Sequence, residues 1–180
     1  MPMARAPNDL SDILAWRRLS ARLTTSGQPT EAQLATIKAL NVTHVINLGL
    51  HTHEKALPDE AGSVRALGMT YLHIPVDFDH PTEADFERFR SAMHDLEGKT
   101  VHVHCIANLR VSAFLYRYYR DEPDASDEGA KAHLDSIWRP GGAWARFLGD
   151  EAGSALSHRF AGRDYQSGAS APRILRVLTL

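Results

Sequence analysis

The sequence contains one cysteine, Cys105, among its 180 residues. A single cysteine cannot form a disulfide within the chain, so a fold held together by internal disulfides is excluded. The chain also has little excess charge, because 20 basic and 22 acidic side chains leave a formal net charge of −2. These charges are scattered, with no basic stripe and no run of like charges. Nucleic acid and anionic membranes are therefore not expected partners.

Long apolar runs are missing as well. The N-terminal stretch MPMARAPNDL is too polar for a signal peptide or a membrane anchor. Together with the lone thiol, this predicts a cytoplasmic protein. A composition of 43% hydrophobic and 23% charged residues is typical of a globular domain with a substantial core. We expect one domain over residues 1–150 and, because residues 151–180 are rich in small and polar side chains, a mobile or docking C-terminal tail.

Signals for helices and strands alternate along the first 120 residues. Thr30 to Gln33 forms a capping-box pattern, which predicts a helix from there to a left-handed stop at Asn41. EAGSVRALG and the stretch from Thr82 to Gly98 predict two further helices. Strands are predicted for the runs VTHVINLGL, MTYLHIPV and TVHVHC. Parallel strands need crossover helices, so the order predicts a three-layer α/β fold whose mainly parallel central sheet is flanked by helices.

Three more helices are predicted beyond the last of these strands. The first begins at Arg110, and the others lie in SDEGAKAHLDSIW and GAWARFLG. Trp138 and Trp144 are expected to be packing anchors of this C-terminal part. The sequence has no internal repeat, and oligomeric state cannot be inferred from it.

Cys105 stands where a predicted strand ends and a helix begins. In parallel α/β sheets ligands collect at the carboxyl ends of strands, and unpaired N–H groups at a helix start favour an anion. The same surroundings favour a thiolate, which is a competent nucleophile. The Arg110 guanidinium can hold two phosphate oxygens in a fork, and Ser112 can donate to the thiolate. The predicted phosphate-binding loop consists of Ile106, Ala107, Asn108, Leu109 and Arg110.

Hydrolysis of a phosphate ester also needs an acid that protonates the leaving oxygen. The segment VDFDHP offers Asp77 and Asp79 in a loop after a strand that we expect to adjoin the strand of Cys105. Asp77 lies four residues before Pro81. Both carboxylates could instead be turn residues that bind local backbone N–H groups.

Four stretches, TSGQPTEAQL, VTHVINL, IPVDFDHPTEADF and VHCIANLRVSAF, resemble the bacterial dual-specificity-phosphatase-like branch of the protein tyrosine phosphatases, over about residues 20 to 120. The resemblance implies Cys105 as nucleophile, His104 as the residue that tunes it, Arg110 as the phosphate clamp and Ser112 as the hydroxyl that assists thiolate release. It also implies Asp77 as the preferred acid, and hydrolysis without a metal or cofactor. The expected substrate is a phosphorylated protein, with phosphotyrosine a candidate, or a small phosphomonoester.

The cysteine loop departs from this family in length. Four residues separate Cys105 from Arg110 where the family has five, and Asn108 replaces a glycine. One position at a helix start rotates a side chain by about 100 degrees. The loop length also matches rhodanese-like sulfurtransferases, and a phosphate-binding module with weakened catalysis is a third alternative. The flanking stretches, which span several elements, favour the phosphatase.

The sequence has ten histidines, among them HTH at 51 to 53 and HVH at 102 to 104. Alternate residues of a strand share one face, so such pairs can bind a metal. His102 and His104, however, belong to the strand that also presents Cys105. We interpret His104 as a core histidine beside the loop, and expect no metal site.

Overall fold

The computed structural model describes residues 10–122 and 128–168 of the chain. Its main sheet has five strands in the spatial order β1-β2-β5-β3-β4, in which only β1 is antiparallel to its neighbour. These strands are β1 (Arg17–Ser20), β2 (Leu23–Ser26), β3 (His44–Asn47), β4 (Thr70–His73) and β5 (Val101–His104). The predicted three-layer α/β fold with a mainly parallel sheet is confirmed.

Among the described residues six helices accompany the sheet, and two of them begin at the capping residues that the sequence predicts. Thr30 and Thr82 each form a complete capping box, and Asn41 takes the expected left-handed conformation with φ of 65°. The helices are α1 (Glu31–Lys38), α2 (Glu60–Ala66), α3 (Glu83–Asp95), α4 (Leu109–Asp121), α5 (Glu128–Ile137) and α6 (Gly142–Phe147). Within the described ranges every helix is too short or too polar to cross a bilayer.

The two faces of the sheet carry separate apolar cores. Along β3, Val45 packs with the residues of α1 and α2, while the next residue, Ile46, packs with those of α3, α4 and α6. The same alternation along β5 directs Val101 and Val103 into the second core. His102 and His104 consequently point to the face covered by α2, where His104 meets the buried Glu60.

Two features of the sheet differ from expectation. The hairpin β1-β2 was not predicted, because LTTS lacks an apolar pattern, yet all four residues of β2 are buried between β1 and β5. The strand before Asp77, β4, does not adjoin β5 as expected, since β3 lies between them. The chain after β4 nevertheless returns over β3, where Val76 N donates to Leu48 O at 3.1 Å.

The C-terminal part packs on the same domain. β6 (Trp138–Arg139) and β7 (Arg159–Phe160) pair into a two-stranded sheet. A 3₁₀ turn at Gly153–Ala155 lies between these two strands in the sequence. Both predicted anchors, Trp138 and Trp144, are buried. Phe160 of β7 also stacks on Trp138 of β6, while residues 169–180, the end of the segment predicted as a mobile or docking tail, lie outside the described residues.

Buried neutral histidines predict acid sensitivity of the fold. His133 is 5% exposed and its Nε2 lies 3.1 Å from Thr25 Oγ1. Burial, and next the charge of Arg17, lower the pKa of His133 to about 3. An unfolded chain takes up this proton near pH 6.5, so the unfolded state binds more protons between about pH 6.5 and 3, and stability falls as pH falls through that window. We expect His133 alone to reduce the free energy of unfolding by about 2 kcal/mol between pH 6.5 and 5.

Urea unfolding at several pH values measures this effect. His133→Asn should flatten the dependence of the unfolding free energy on pH, whereas His80→Gln, whose side chain is 82% exposed, should leave it unchanged. Equal slopes in the native protein and His133→Asn would contradict the assignment.

Candidate active site

Cys105 lies at the carboxyl end of the central strand β5, directly before the loop that leads into α4. Its side chain is fully buried, and its backbone N donates to Ser26 O at 3.3 Å. The next carbonyl, Ile106 O, accepts from Gln28 N at 3.0 Å. The segment after β2 thus holds the start of the cysteine loop.

The loop closes through Asn108. Asn108 adopts a left-handed conformation with φ of 63°, a region that asparagine tolerates better than most other residues with a side chain. Its amide Nδ2 donates to Ala15 O at 2.9 Å and to Thr25 Oγ1 at 3.0 Å, away from the helix. The helical ladder of α4 starts with Ser112 N donating to Asn108 O at 3.1 Å. The N–H groups of residues 109–111 precede that ladder, so a bound anion can take them as donors.

Arg110 connects the cysteine loop with the loop that carries the candidate acids. It is 8% exposed, and its Nε donates to Val76 O at 2.8 Å, one residue before Asp77. Its guanidinium carbon lies 5.2 Å from the centre of the Phe78 ring. With four residues between it and Cys105, the arginine therefore lies beside the predicted acid loop.

Asp77 and Asp79 are both exposed at this edge. The Asp77 side chain is 63% exposed, and its Oδ1 accepts from Asp79 N at 2.9 Å, which is the turn role that the sequence left open. Its Oδ2 lies 3.7 Å from His80 Nδ1. Asp77 and Asp79 are both candidates for the acid.

Comparisons with known proteins agree with this architecture. No family model matches the sequence. A DUF442 protein of Shewanella putrefaciens CN-32, a candidate phosphatase, has a crystal structure that matches with a TM-score of 0.69 at 34% identity, over 81% of this chain and 95% of that one. This chain belongs to the DUF442 family. TpbA of P. aeruginosa, in complex with phosphotyrosine, shares the fold, with a TM-score of 0.55 at 17% identity over 74% of this chain and 76% of its own.

A curated relative is much longer than this DUF442 chain. The beta-lactamase hydrolase-like protein of Agrobacterium fabrum is 34% identical over 96 residues, which are 52% of this chain. The chain spans 22% of the length of that protein.

Ser112 makes contacts in the DUF442 domain other than the expected one. Its hydroxyl donates to Leu109 O at 3.0 Å and accepts from Trp138 Nε1 at 3.1 Å. The structure thus shows Ser112 bonding back to a carbonyl of its own helix, and the predicted donation to Cys105 is not among these contacts. Trp138 is more than an apolar anchor, because it fixes this hydroxyl.

Several residues of the DUF442 site carry no motif that would reveal them in the sequence. Trp144 Nε1 donates to Phe78 O at 2.7 Å. The acid loop is therefore bonded both to α6 and, through Val76 O, to Arg110. Glu60, read only as part of a helix, is a buried carboxylate whose Oε1 lies 2.9 Å from His104 Nε2. Glu60 lies in the first turn of a predicted helix, just as Glu31 does after Thr30. Its position in the sequence therefore does not distinguish it from an ordinary helix residue. The predicted histidine pair His51 and His53 is exposed.

Gly27 provides a test of how tightly the DUF442 cysteine loop is packed. A Cβ at this position would lie 2.5 Å from Ile106 O, closer than backbone atoms tolerate. We expect Gly27→Ala to displace the loop and to lower the free energy of unfolding by about 1 to 3 kcal/mol, measured by urea unfolding. Gly129→Ala is the matched control, because its Cβ would meet nothing within 4 Å among the described residues. Equal free energies of unfolding of the two variants would show that the cysteine loop can move aside at no cost in stability.

Proposed function

We propose that this protein hydrolyses phosphomonoesters without a metal, through a cysteinyl-phosphate intermediate. The observation that carries the proposal is the contact of Arg110 with Val76 O, since it joins the cysteine loop and the acid loop in one site. The DUF442 relative named as a candidate phosphatase supports it. The bacterial dual-specificity-like branch is the finer assignment that the sequence favours.

The proposed reaction has two steps. The Cys105 thiolate attacks phosphorus, the bond from phosphorus to the ester oxygen breaks, and Asp77 or Asp79 protonates the leaving oxygen. Water then attacks the cysteinyl-phosphate, inorganic phosphate leaves and the thiolate returns. Arg110 and the first N–H groups of α4 stabilise the oxygens of the transferred phosphoryl group in both steps.

TpbA binds phosphotyrosine in its structure, which makes a phosphotyrosine protein one substrate of interest. The first assay is hydrolysis of p-nitrophenyl phosphate and of a phosphotyrosine peptide, with a chelator present. Turnover of either supports the proposal. Absence of turnover with a rise in melting temperature on adding phosphate or vanadate would favour a phosphate-binding module instead.

The two carboxylates can be separated by paired variants. We expect one of Asp77→Asn and Asp79→Asn to lower kcat by about 10² to 10⁴-fold, because its carboxylic acid no longer protonates the leaving oxygen. The other variant is the matched control, being equally conservative and two residues away. Substrates with better leaving groups should restore the rate of the acid variant only. Full activity of both variants would exclude this loop as the source of the acid.

A second function is favoured by one observation, the four residues between Cys105 and Arg110. In sulfur transfer the thiolate attacks the outer sulfur of thiosulfate, sulfite leaves, and the cysteine persulfide gives its sulfur to cyanide as thiocyanate. Formation of thiocyanate that depends on Cys105 but not on Asp77 would support this alternative. No thiocyanate in excess thiosulfate would exclude it.

A further inference from the structure

A cavity lies at the edge of the main sheet, beside the outermost strand β1. This β1–α5 cavity has a volume of about 680 Å³ and is lined by residues 17–20 of β1, by Tyr119 of α4 and by five residues of α5 between Gly129 and Ser136. Cavities that hold small molecules usually measure about 300 to 1,000 Å³. The β1–α5 cavity is therefore large enough for a small organic ligand.

The described lining of the cavity carries positive charge and no carboxylate. Arg17 and Arg18 both belong to it, whereas none of its described residues is acidic. Acidic side chains outnumber basic ones in the chain as a whole, 22 to 20, so this lining differs from the average surface. Leu19, Ala130 and Ala132 add apolar side chains to it. The lining thus suits a ligand that combines an anionic group with an apolar body.

Arg17 is half-buried and bonds only to uncharged oxygens among the described residues. Its Nε donates to Ser136 Oγ at 3.0 Å, and its two terminal nitrogens donate to Trp16 O at 2.8 Å and to Ser136 O at 3.1 Å. Burial lowers the pKa of the Arg17 guanidinium, which is the direction expected without a nearby carboxylate. A guanidinium has five N–H donors, so two remain for a further acceptor.

His133 adds a buried donor to the same lining. It is 5% exposed, and its Nδ1 has no hydrogen-bond partner in the part of the chain that the structure describes. Its Nε2 lies 3.1 Å from Thr25 Oγ1, which already accepts from Asn108 Nδ2 at 3.0 Å. The Thr25 hydroxyl proton then has Nε2 as its acceptor, so the one proton of the neutral imidazole is on Nδ1. An anionic ligand can supply the acceptor that this buried N–H lacks.

We propose that the β1–α5 cavity is a binding site for a small organic anion, a carboxylate, sulfonate or phosphate on an apolar body. Arg17 and Arg18 bind the anionic group, because guanidinium N–H groups match its paired oxygens. His133 donates to the same group, and the apolar body packs on Leu19 and Ala130.

This site is distinct from the proposed catalytic site, since residues 105–110 of the cysteine loop do not line it. The two are connected by side chains, because His133 contacts Thr25 and Thr25 accepts from Asn108 in the cysteine loop. The proposal does not depend on Cys105 as a nucleophile. A protein without phosphatase activity would still bind the anion.

The first experiment titrates the native protein with anilinonaphthalene sulfonate, which joins a sulfonate to an aromatic body, and follows binding by calorimetry. We expect one dye molecule per chain. Inorganic phosphate at the same concentration should not displace the dye, because it has no apolar body and its expected place is the cysteine loop. Absence of binding, or displacement by inorganic phosphate, would overturn the proposal.

Ala132 allows the charge of the cavity to be varied in both directions at one position. It is exposed on α5 and belongs to the lining, so longer side chains fit there without disturbing the core. Glutamate and lysine both favour helices, which makes Ala132→Glu and Ala132→Lys a matched pair. We expect Ala132→Glu to raise the dye Kd about tenfold or more by repulsion of the sulfonate, and Ala132→Lys to keep or lower it. Equal Kd values of the two folded variants would contradict an anion site.

Arg18→Gln removes a charge from the lining itself. Arg18 is exposed, so the variant should fold, and we expect the dye Kd to rise about tenfold because a charged hydrogen-bond donor is lost. Arg65→Gln is the matched control, since Arg65 is an exposed arginine of α2, which packs on the opposite face of the sheet from α5. An unchanged Kd in Arg18→Gln, or an equal change in Arg65→Gln, would reject the site.

Discussion

Cys105→Ser is expected to abolish hydrolysis of p-nitrophenyl phosphate, lowering kcat by about 10⁴-fold or more, while the protein remains folded. A serine hydroxyl is nearly the size of the thiol, so the fully buried site can hold it. The hydroxyl does not ionise near neutral pH, and the nucleophile is therefore lost. Steady-state kinetics and a thermal unfolding curve of each protein test both halves of this prediction.

Because Cys105 is the one cysteine of the sequence, chemical modification of thiols provides a second test of its role. A thiol-specific alkylating reagent can act on Cys105 alone, so alkylation should inactivate the native protein, and bound vanadate should protect it. A Cys105→Ser variant that keeps the native rate would show that the buried thiol is inert and that the reaction proceeds elsewhere.

Arg110→Ala is expected to lower kcat/KM by about 10³-fold, because the guanidinium that stabilises the phosphoryl oxygens is removed. Arg110→Lys is the informative companion. A lysine retains the positive charge, but it cannot place two parallel donors on the phosphate while a third group holds Val76 O. We expect it to lose most of the rate as well.

The matched control is Arg117→Lys, on the same helix. Arg117 pairs with Glu83 at 2.6 Å, away from the cysteine loop, so this change should leave the kinetics nearly unchanged. If Arg110→Ala keeps most of the native kcat/KM, the displaced arginine is not the phosphate clamp. That result would favour sulfur transfer, because the four residues between Cys105 and Arg110 match the loop length of rhodanese-like sulfurtransferases.

Two buried ionisable groups, Glu60 and His133, determine the pH range in which the folded protein is most stable. Glu60, whose folded pKa is depressed, contributes stability above its ordinary pKa of about 4.5, and this contribution is lost as pH falls toward about 2. His133 loses stability over a higher range, from about pH 6.5 downward. Assays of the acid variants are therefore best run near neutral pH, where both groups support the folded state.

Local signals in the sequence predicted the elements whose causes are local. The hydroxyls of Thr30 and Thr82 act on backbone groups three residues away, and Asn41 adopts its own left-handed conformation. A pattern over neighbouring residues contains all the information that such features need. For the same reason, the sequence determined that Cys105 stands between a strand and a helix.

Contacts between distant residues were decided by the tertiary structure. The polar strand β2 is buried because β1 and β5 flank it, and the loop after β4 reaches Arg110 by crossing β3. Glu60 and His104 are 44 positions apart in the sequence and meet only because α2 covers the histidine face of β5. The sequence by itself thus determined the elements and the cysteine loop, whereas packing across the sheet decided which charged groups surround that loop.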